Sequence, residues 1–450
     1  MIILGKDKRV YSIVIKRFPF SRKINMNNKK TILIIGFAIF ASFFGAGNLI
    51  LPPQLGFNSG PEWWLVALGF ITSAAVIPLL ALFGHAKLQG TMLDFGNKVS
   101  PLFSLIYCLC VYIIAIALPI PRTAAVTHEM AIAPFLDTSS LLTSSLYFGI
   151  AFIFIMKRDS ILSILGKFLT PLIVLILLAI IIIGLFTAPE NMNPSVLESP
   201  ALIAGLLEGY QTYDALGGIL IGGVVIISLN LEGGVSFKDK KAIIAKSGLV
   251  AASGLFIIYA GMIALGALHN TEFEASISRP ELLAGLSIKT LGNIGNLFLS
   301  VLISLACFTT AVSVIVGTAD FFKGLFKESQ LAYIITAIVA CLIGVLVGQF
   351  DVHYIILVAV PALMFIYPLT IVLILLNVIP EKYSTRLVFR AVVLVTFIFS
   401  IPDFLGFLME AEWLTSIKEF IPLATQNSGW ALPALVTFGI VNLFSRGRAT

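Results

Sequence analysis

The chain has 450 residues, of which 58% are apolar and only 12% are charged, and its mean hydropathy is +1.03. Soluble domains have about a quarter of their residues charged, so this composition excludes a water-soluble globular protein. Apolar runs of about twenty residues recur along the chain, the length that an α-helix needs to cross a bilayer. Because the runs show no alternation of polar and apolar residues, a transmembrane β-barrel is also excluded.

The sequence therefore predicts an all-α polytopic membrane protein of about twelve helices. A basic cytoplasmic segment at residues 1–30 precedes one transmembrane domain at residues 31–450. The basic segment is too charged to be the apolar centre of a signal peptide, and both Met1 and Met26 stay open as starts of translation. The predicted spans are roughly 31–51, 63–84, 101–120, 142–156, 161–187, 202–229, 247–268, 291–319, 331–348, 354–379, 387–408 and 430–445.

The distribution of positive charge predicts the orientation of these spans, since Lys and Arg concentrate in cytoplasmic loops. If the chain starts inside, all but four of its 29 Lys and Arg residues lie in inside segments. We therefore predict a multi-pass protein of a cytoplasmic (inner) membrane with both termini in the cytoplasm. The formal net charge of +6 anchors this topology and does not indicate a nucleic-acid partner. The four Lys and Arg residues that do not lie in inside segments are Arg122, Arg279, Lys289 and Lys418.

The first span contains Gly45, Ala46 and Gly47, followed by Asn48, in the middle of an apolar run. Glycine costs a helix about 1 kcal/mol relative to alanine, so we predict a helix break at these residues. An alternative stays open, because small residues also permit close packing of two membrane helices.

Polar residues follow two prolines near the end of the third predicted span. The span either ends at this point or continues outward. Ionisable groups inside a membrane are candidates for function. Arg122, His128 and Glu129 therefore line a functional site or lie at the wet rim of the membrane. The other histidines, His85, His269 and His353, fall at loop ends, where we expect solvated imidazoles.

Helices that face lipid are neither polar nor rich in glycine at this depth of the membrane, but the sixth span is both. We therefore predict a second helix break in the sixth span. It lies five spans after the first break, the spacing of equivalent helices in a five-helix inverted repeat. Glu208, Gly209, Tyr210, Thr212 and Asp214 fall in this stretch. We expect Asp214 either to line a binding site or to cap a half-helix.

Broken membrane helices leave backbone groups that need a ligand or water. The N-terminus of a half-helix favours a carboxylate, and freed carbonyls coordinate a small cation. The eighth span adds adjacent hydroxyls at Thr309 and Thr310, near the Ala306 carbonyl, and hard cations prefer such oxygen ligands. The alternative is that both hydroxyls bond to the preceding turn of their own helix.

With these residues in place, the chain resembles the branched-chain amino acid:cation symporter (LIVCS) family of the amino acid–polyamine–organocation superfamily. The resemblance runs from about residue 27 to the last span. Its most specific motifs are at 36–50 with the prolines at 52 and 53, at 120–123, at 208–214 and at 306–311. The chain departs from the family pattern at Tyr213, where methionine is expected. The family implies a LeuT-like 5+5 inverted repeat with broken helices 1 and 6, and symport of leucine, isoleucine and valine with Na+ or H+.

The resemblance also implies two sites. It implies no cofactor apart from the coupling ion, and its partners are a small amino acid, a cation and the lipid bilayer. The implied substrate site comprises Phe44, Gly45, Ala46, Gly47, Asn48, Gly209, Tyr210, Thr212 and Asp214. The implied Na+ site comprises the carbonyls of Ala41, Phe44 and Ala306 and the hydroxyls of Thr309 and Thr310.

Two other functions stay open at this point, a membrane-embedded enzyme and a transporter of another small amino acid. The pair Tyr213-Asp214 is similar to a motif of intramembrane aspartyl proteases, but the motif that would supply the second carboxylate of a catalytic dyad is absent from the sequence. We therefore predict a transporter rather than an enzyme. The preferred amino acid, the coupling ion and the oligomeric state are not determined by the sequence.

Overall fold

The computed structural model describes residues 29–157, 161–220, 222, 237–409 and 411–446. The choice between Met1 and Met26, the basic segment up to residue 28 and the end of the sixth predicted span lie outside these residues. In the described part of the chain all regular secondary structure is helical. Eight helices there are long and apolar enough to cross a membrane, and four shorter apolar helices accompany them. The predicted all-α membrane architecture is confirmed.

The first five spans occupy residues 29 to 186, and the first of them is divided into two helices. Span 1 consists of Lys29–Phe43 and Ala46–Ser59, and span 2 consists of Trp63–Ile71 and Ile77–Leu88, joined by the π-helical turn Thr72–Val76. Span 3 consists of Pro101–Ala117 and Pro119–Thr127, followed by the π-helical turn His128–Ile132. Span 4 is Ser140–Lys157, and span 5 is Ile161–Phe186.

The next five spans repeat this order, again starting with a divided helix. Two further spans complete the twelve that the described residues form. The helices of spans 6 to 12 are Ala201–Tyr210 and a second helix that begins at residue 214; Phe237–Leu268; Arg279–Leu325; Gln330–Gly348; Val352–Val378; Arg386–Leu405; and Ala431–Arg446.

Several helices begin at a side chain that satisfies an otherwise unpaired backbone N–H, which is why they start where they do. Ser100 Oγ accepts from the N–H of Phe103, and Ser329 and Asp351 play the same part at the starts of spans 9 and 10. Ser278 begins the 47-residue helix that leads into span 8. That helix is kinked at Gly292, whose φ of +72° few other residues adopt. The kink separates an outer helix from the spanning one.

Glycines allow the broken spans to pack closely against their neighbours. A Cβ atom at Gly56 would overlap the carbonyl of Ile263, where span 1 crosses span 7. Likewise, a Cβ atom at Gly205 would overlap the carbonyl of Val66, where span 6 crosses span 2. Such close contacts are typical of membrane helices, because packing rather than the hydrophobic effect holds them together.

The third span was expected either to end near residue 120 or to continue outward, and in the structure it continues to Ile132. Two sequence-based expectations differ from the structure. His85 and His269 are wrongly predicted to be solvated, since both are fully buried. His85 Nε2 lies 2.7 Å from the Ile219 carbonyl, and His269 Nε2 lies 2.9 Å from the Gly184 carbonyl. Backbone carbonyls of neighbouring spans satisfy these rings, which a hydropathy profile does not show.

Candidate functional site

The first helix break lies at Phe44 and Gly45, and helix resumes at Ala46. The predicted break is thus present, although Gly47 is already helical. The Gly45 N–H donates to Asn48 Oδ1 at 3.1 Å instead of to the carbonyl of Ala41, four residues earlier. Asn48 therefore caps the second half-helix from inside its first turn. The Ala41 carbonyl does not receive the bond that a continuous helix would give it.

The second break lies at residues 211–213 of span 6. Tyr213 has a φ of +63°, a conformation that is costly for a bulky side chain and is concentrated at functional sites. The Thr212 hydroxyl donates to the Gly209 carbonyl at 2.8 Å and accepts from the N–H of Asp214 at 3.2 Å. Thr212 thereby closes one half-helix and opens the next.

The two breaks meet at a buried cluster of three polar side chains, Asn48, Asp214 and Tyr259. Asn48 Nδ2 donates to Asp214 Oδ2 at 2.6 Å and also to the Tyr259 hydroxyl. The Tyr259 hydroxyl donates to the same Asp214 oxygen at 3.1 Å. Asp214 is 3% exposed, so these donors are what satisfies its carboxylate. The side chain of Asp214 thus joins spans 1, 6 and 7 rather than only capping a half-helix.

Span 8 brings a hydroxyl to the first break. A Cβ atom placed on Gly45 would lie 3.8 Å from Thr310 Cγ2 and 4.0 Å from Thr310 Oγ1. The neighbouring Thr309 hydroxyl donates to the Ala306 carbonyl at 3.0 Å. That bond to the preceding turn uses the proton of Thr309 and leaves oxygen lone pairs for another partner. The geometry is therefore compatible with either interpretation of Thr309.

Span 3 directs Arg122 at the same junction. The span is kinked at Leu118, whose φ and ψ are −120° and −66°. Pro119 and Pro121 follow, and because proline has no N–H, two helical hydrogen bonds are missing there. After the kink, the Arg122 side chain lies against Gly47 and 5.2 Å from the centre of the Tyr213 ring. Its guanidinium is 4% exposed.

Some residues of the implied substrate site face neighbouring helices. A Cβ atom at Gly209 would overlap Ser73 Oγ, so this glycine permits the close approach of span 2. The Tyr210 ring is fully buried and stacks on Tyr367 with centroids 4.4 Å apart. The Phe44 ring is buried and stacks on the Phe40 ring with centroids 4.9 Å apart.

Ion pairs cover the side of the junction that lies near the helix before span 8. Arg279, on that helix, pairs with Glu208, and both side chains are mostly buried. A second pair joins Lys289 to Glu272, which also accepts from His269 Nδ1 at 2.5 Å. Partial burial raises the pKa of Glu272, but the bonds from Lys289 and His269 outweigh this effect and hold that pKa below its ordinary value.

The remaining polar residues of span 3 have structural partners. Glu129 Oε1 accepts from the N–H of Val352 at 2.7 Å, at the start of span 10. His128 Nδ1 lies 2.9 Å from Thr143 Oγ1 of span 4. These contacts hold the outer end of span 3 against its neighbours, away from the helix breaks.

Two residues of the junction escaped the sequence analysis. Tyr259 lies within the apolar run of span 7, where a single tyrosine gives little signal. Gln211 is 6% exposed, its Oε1 has no hydrogen-bond partner, and its carbonyl would lie 3.2 Å from a Cβ atom on Gly47. The position of Gln211 inside the second break was a usable signal, since a buried amide is rarely left unsatisfied.

Two broken helices that meet at polar groups in mid-membrane define a transporter of the LeuT fold. The structure resembles Mhp1 in an inward-facing conformation, with a TM-score of 0.58 at 12% identity over 93% of this chain and 91% of the other. It also resembles MhsT in complex with L-phenylalanine, with a TM-score of 0.53 at 18% identity over 91% and 98% of the two chains. At these identities the likeness shows the fold alone, and the expected fold is confirmed.

The chain belongs to the family described as branched-chain amino acid transport protein, which matches residues 28–447. It is 32% identical to the branched-chain amino acid permease BraB of Bacillus subtilis, over 90% of this chain and 94% of that protein. It is also 32% identical to the branched-chain amino acid transport system 2 carrier protein of Pseudomonas aeruginosa, over the same shares. The predicted family is confirmed, and its members are transporters rather than enzymes.

Proposed function

We propose that this protein is a secondary active symporter that imports leucine, isoleucine and valine into a bacterial cell. The observation that carries the proposal is the meeting of the two helix breaks at the bond between Asn48 and Asp214. Family membership supports the substrate class, since the relatives named above are permeases or carriers of branched-chain amino acids. Both termini face the cytoplasm in this proposal.

The substrate binds at the first break, where Gly45, Ala46, Gly47 and Asn48 frame the carboxylate of the amino acid. The half-helix that begins at Ala46 has free N–H groups and the positive end of its dipole at this point, and both favour an anion. Thr212 and Asp214 provide the opposite wall from span 6. The backbone of Phe44, Gly209 and Tyr210 completes the site.

Na+ is the first candidate for the coupling ion. Its ligands are the carbonyls of Ala41, Phe44 and Ala306 and the hydroxyls of Thr309 and Thr310. Two features support this site, namely the Ala41 carbonyl that lacks its helical bond and the Thr310 hydroxyl beside Gly45. The second candidate is H+, for which the buried carboxylate of Asp214 is the carrier.

Uptake into proteoliposomes tests the proposal. Purified protein is reconstituted, and labelled leucine is supplied under an inward Na+ gradient, an inward H+ gradient or neither. We expect accumulation above equilibrium with only one of the gradients, and competition by isoleucine and valine. Matched vesicles containing Asp214→Asn protein should not accumulate leucine.

Uptake that merely equilibrates, or no uptake of any branched-chain amino acid, would contradict symport. If alanine or glycine competes better than leucine, the alternative of a transporter for another small amino acid is supported instead.

A further inference from the structure

Arg122 is a buried cation with no counter-ion among the described residues. The side chain is 4% exposed, its Nε has no hydrogen-bond partner, and it forms no ion pair with any carboxylate of the described residues. The Tyr213 ring, 5.2 Å from Cζ, gives only a cation–π contact. An unpaired charge is strongly unfavourable in the interior of a membrane protein. Ionisable groups inside a membrane protein that have no internal ion pair commonly mark substrate or ion pathways.

The obvious internal partner is already engaged. Oδ2 of Asp214 accepts from Asn48 and from Tyr259, and the nitrogens of Arg122 are not within ion-pair distance of it. Glu208, the other acid of span 6, pairs with Arg279. The described residues therefore supply no carboxylate partner for Arg122.

The surroundings of Arg122 place it at both helix breaks. A Cβ atom on Gly47 would meet Arg122 Nη2 and would lie 3.1 Å from its Cζ and 3.2 Å from the Gln211 carbonyl. The guanidinium therefore lies over the first turn of the half-helix that begins at Ala46. A guanidinium and the N-terminus of a helix both favour an anion, and here the guanidinium packs beside that N-terminus.

We propose that Arg122 binds the α-carboxylate of the transported amino acid. This inference rests on the proposed function and adds a residue of span 3 to the site. The planar fork of arginine matches a carboxylate with two parallel hydrogen bonds. Gly47 is required because any side chain there would overlap the guanidinium and displace it from the first helix break.

The proposal predicts that Arg122 serves binding at the expense of stability. Arg122→Met removes an unpaired charge from the interior, so the ligand-free protein should unfold at the same temperature or at a higher one. A structural arginine would behave in the opposite way, because its loss would leave partners unsatisfied.

The test compares leucine with leucinamide, which keeps the side chain and the amino group but has no carboxylate. Dissociation constants are measured for the full-length protein in detergent from the rise in melting temperature with ligand concentration. The variants are wild type, Arg122→Met, Arg122→Lys and, as a matched loss of a buried arginine, Arg279→Gln.

We expect wild type to prefer leucine over leucinamide by at least about tenfold, the scale of a lost charge-assisted contact. Arg122→Met should raise the dissociation constant of leucine by at least about tenfold. The dissociation constant of leucinamide should not rise, so that the preference for leucine disappears. Arg122→Lys should retain part of the preference, because it keeps the charge but not the fork. Arg279→Gln should keep the wild-type ratio.

The outcomes separate this inference from the proposed function. If wild type binds leucine and Arg122→Met keeps the preference over leucinamide, the inference is wrong and the proposed function stands. If Arg122→Met loses both ligands equally and melts at a lower temperature, Arg122 is structural and the inference is also wrong. If chloride alone stabilises wild type as much as leucine does, the site binds an inorganic anion and the inference is wrong. If wild type binds no branched-chain amino acid, both proposals fall.

Discussion

Replacing Thr310 by valine tests the proposed Na+ site directly, because valine keeps the volume and the branched β-carbon but lacks the hydroxyl oxygen. In the structure this hydroxyl lies beside Gly45, at the first helix break. A lost contact to a charged group costs about 1.5–3 kcal/mol, and 1.36 kcal/mol corresponds to a factor of ten. The Na+ concentration for half-maximal leucine uptake should therefore rise about tenfold to a hundredfold.

The assay is leucine uptake into proteoliposomes against Na+ concentration, for wild type, Thr309→Val and Thr310→Val. Thr318→Val is the matched control, since its hydroxyl lies in the same span and donates to the Val314 carbonyl at 2.8 Å. We expect the control to follow the wild-type curve. Sodium-dependent wild-type uptake with unchanged curves for Thr309→Val and Thr310→Val would show that these hydroxyls only bond to their own helix. Sodium-independent wild-type uptake would refute Na+ coupling and favour Asp214 as a proton carrier.

Three further substitutions test other parts of the junction. Gly47→Leu should abolish leucine binding because its side chain fills the proposed carboxylate site, and unchanged affinity in the folded protein would contradict that site. Tyr259→Phe removes a hydrogen-bond donor from the buried carboxylate of Asp214 and should lower the free energy of unfolding by about 1–3 kcal/mol. Thermal unfolding in detergent measures this loss. An unchanged melting temperature would argue against the cluster of Asn48, Asp214 and Tyr259. Gly56→Ala places a methyl group against the backbone of span 7 and should lower the free energy of unfolding by about 1–3 kcal/mol. The control is Gly149→Ala, because Gly149 has open space around it. This control should lower the free energy of unfolding much less in the same measurement.

The sequence was sufficient for the properties that depend on a short stretch of chain. Apolar runs predict the spans because each membrane helix satisfies its own backbone. The glycines and polar residues near Gly45 and Asp214 predict both breaks for the same local reason. The position of the first break was set more finely by Asn48, which accepts from the Gly45 N–H and so lets helix resume at Ala46. That bond is local too, but it depends on the orientation of one side chain.

Only the tertiary structure decided which polar groups meet. Asn48 and Asp214 are 166 residues apart, and Tyr259 is a further 45 residues along the chain. Their contact depends on how spans 1, 6 and 7 cross, and no local pattern encodes that crossing. Arg122 was ambiguous in sequence between a site and the membrane rim, and the kink of span 3 turns it towards Gly47. Long-range packing, unlike hydropathy, is a property of the whole fold, and packing is what places the Arg122 side chain beside the first helix break.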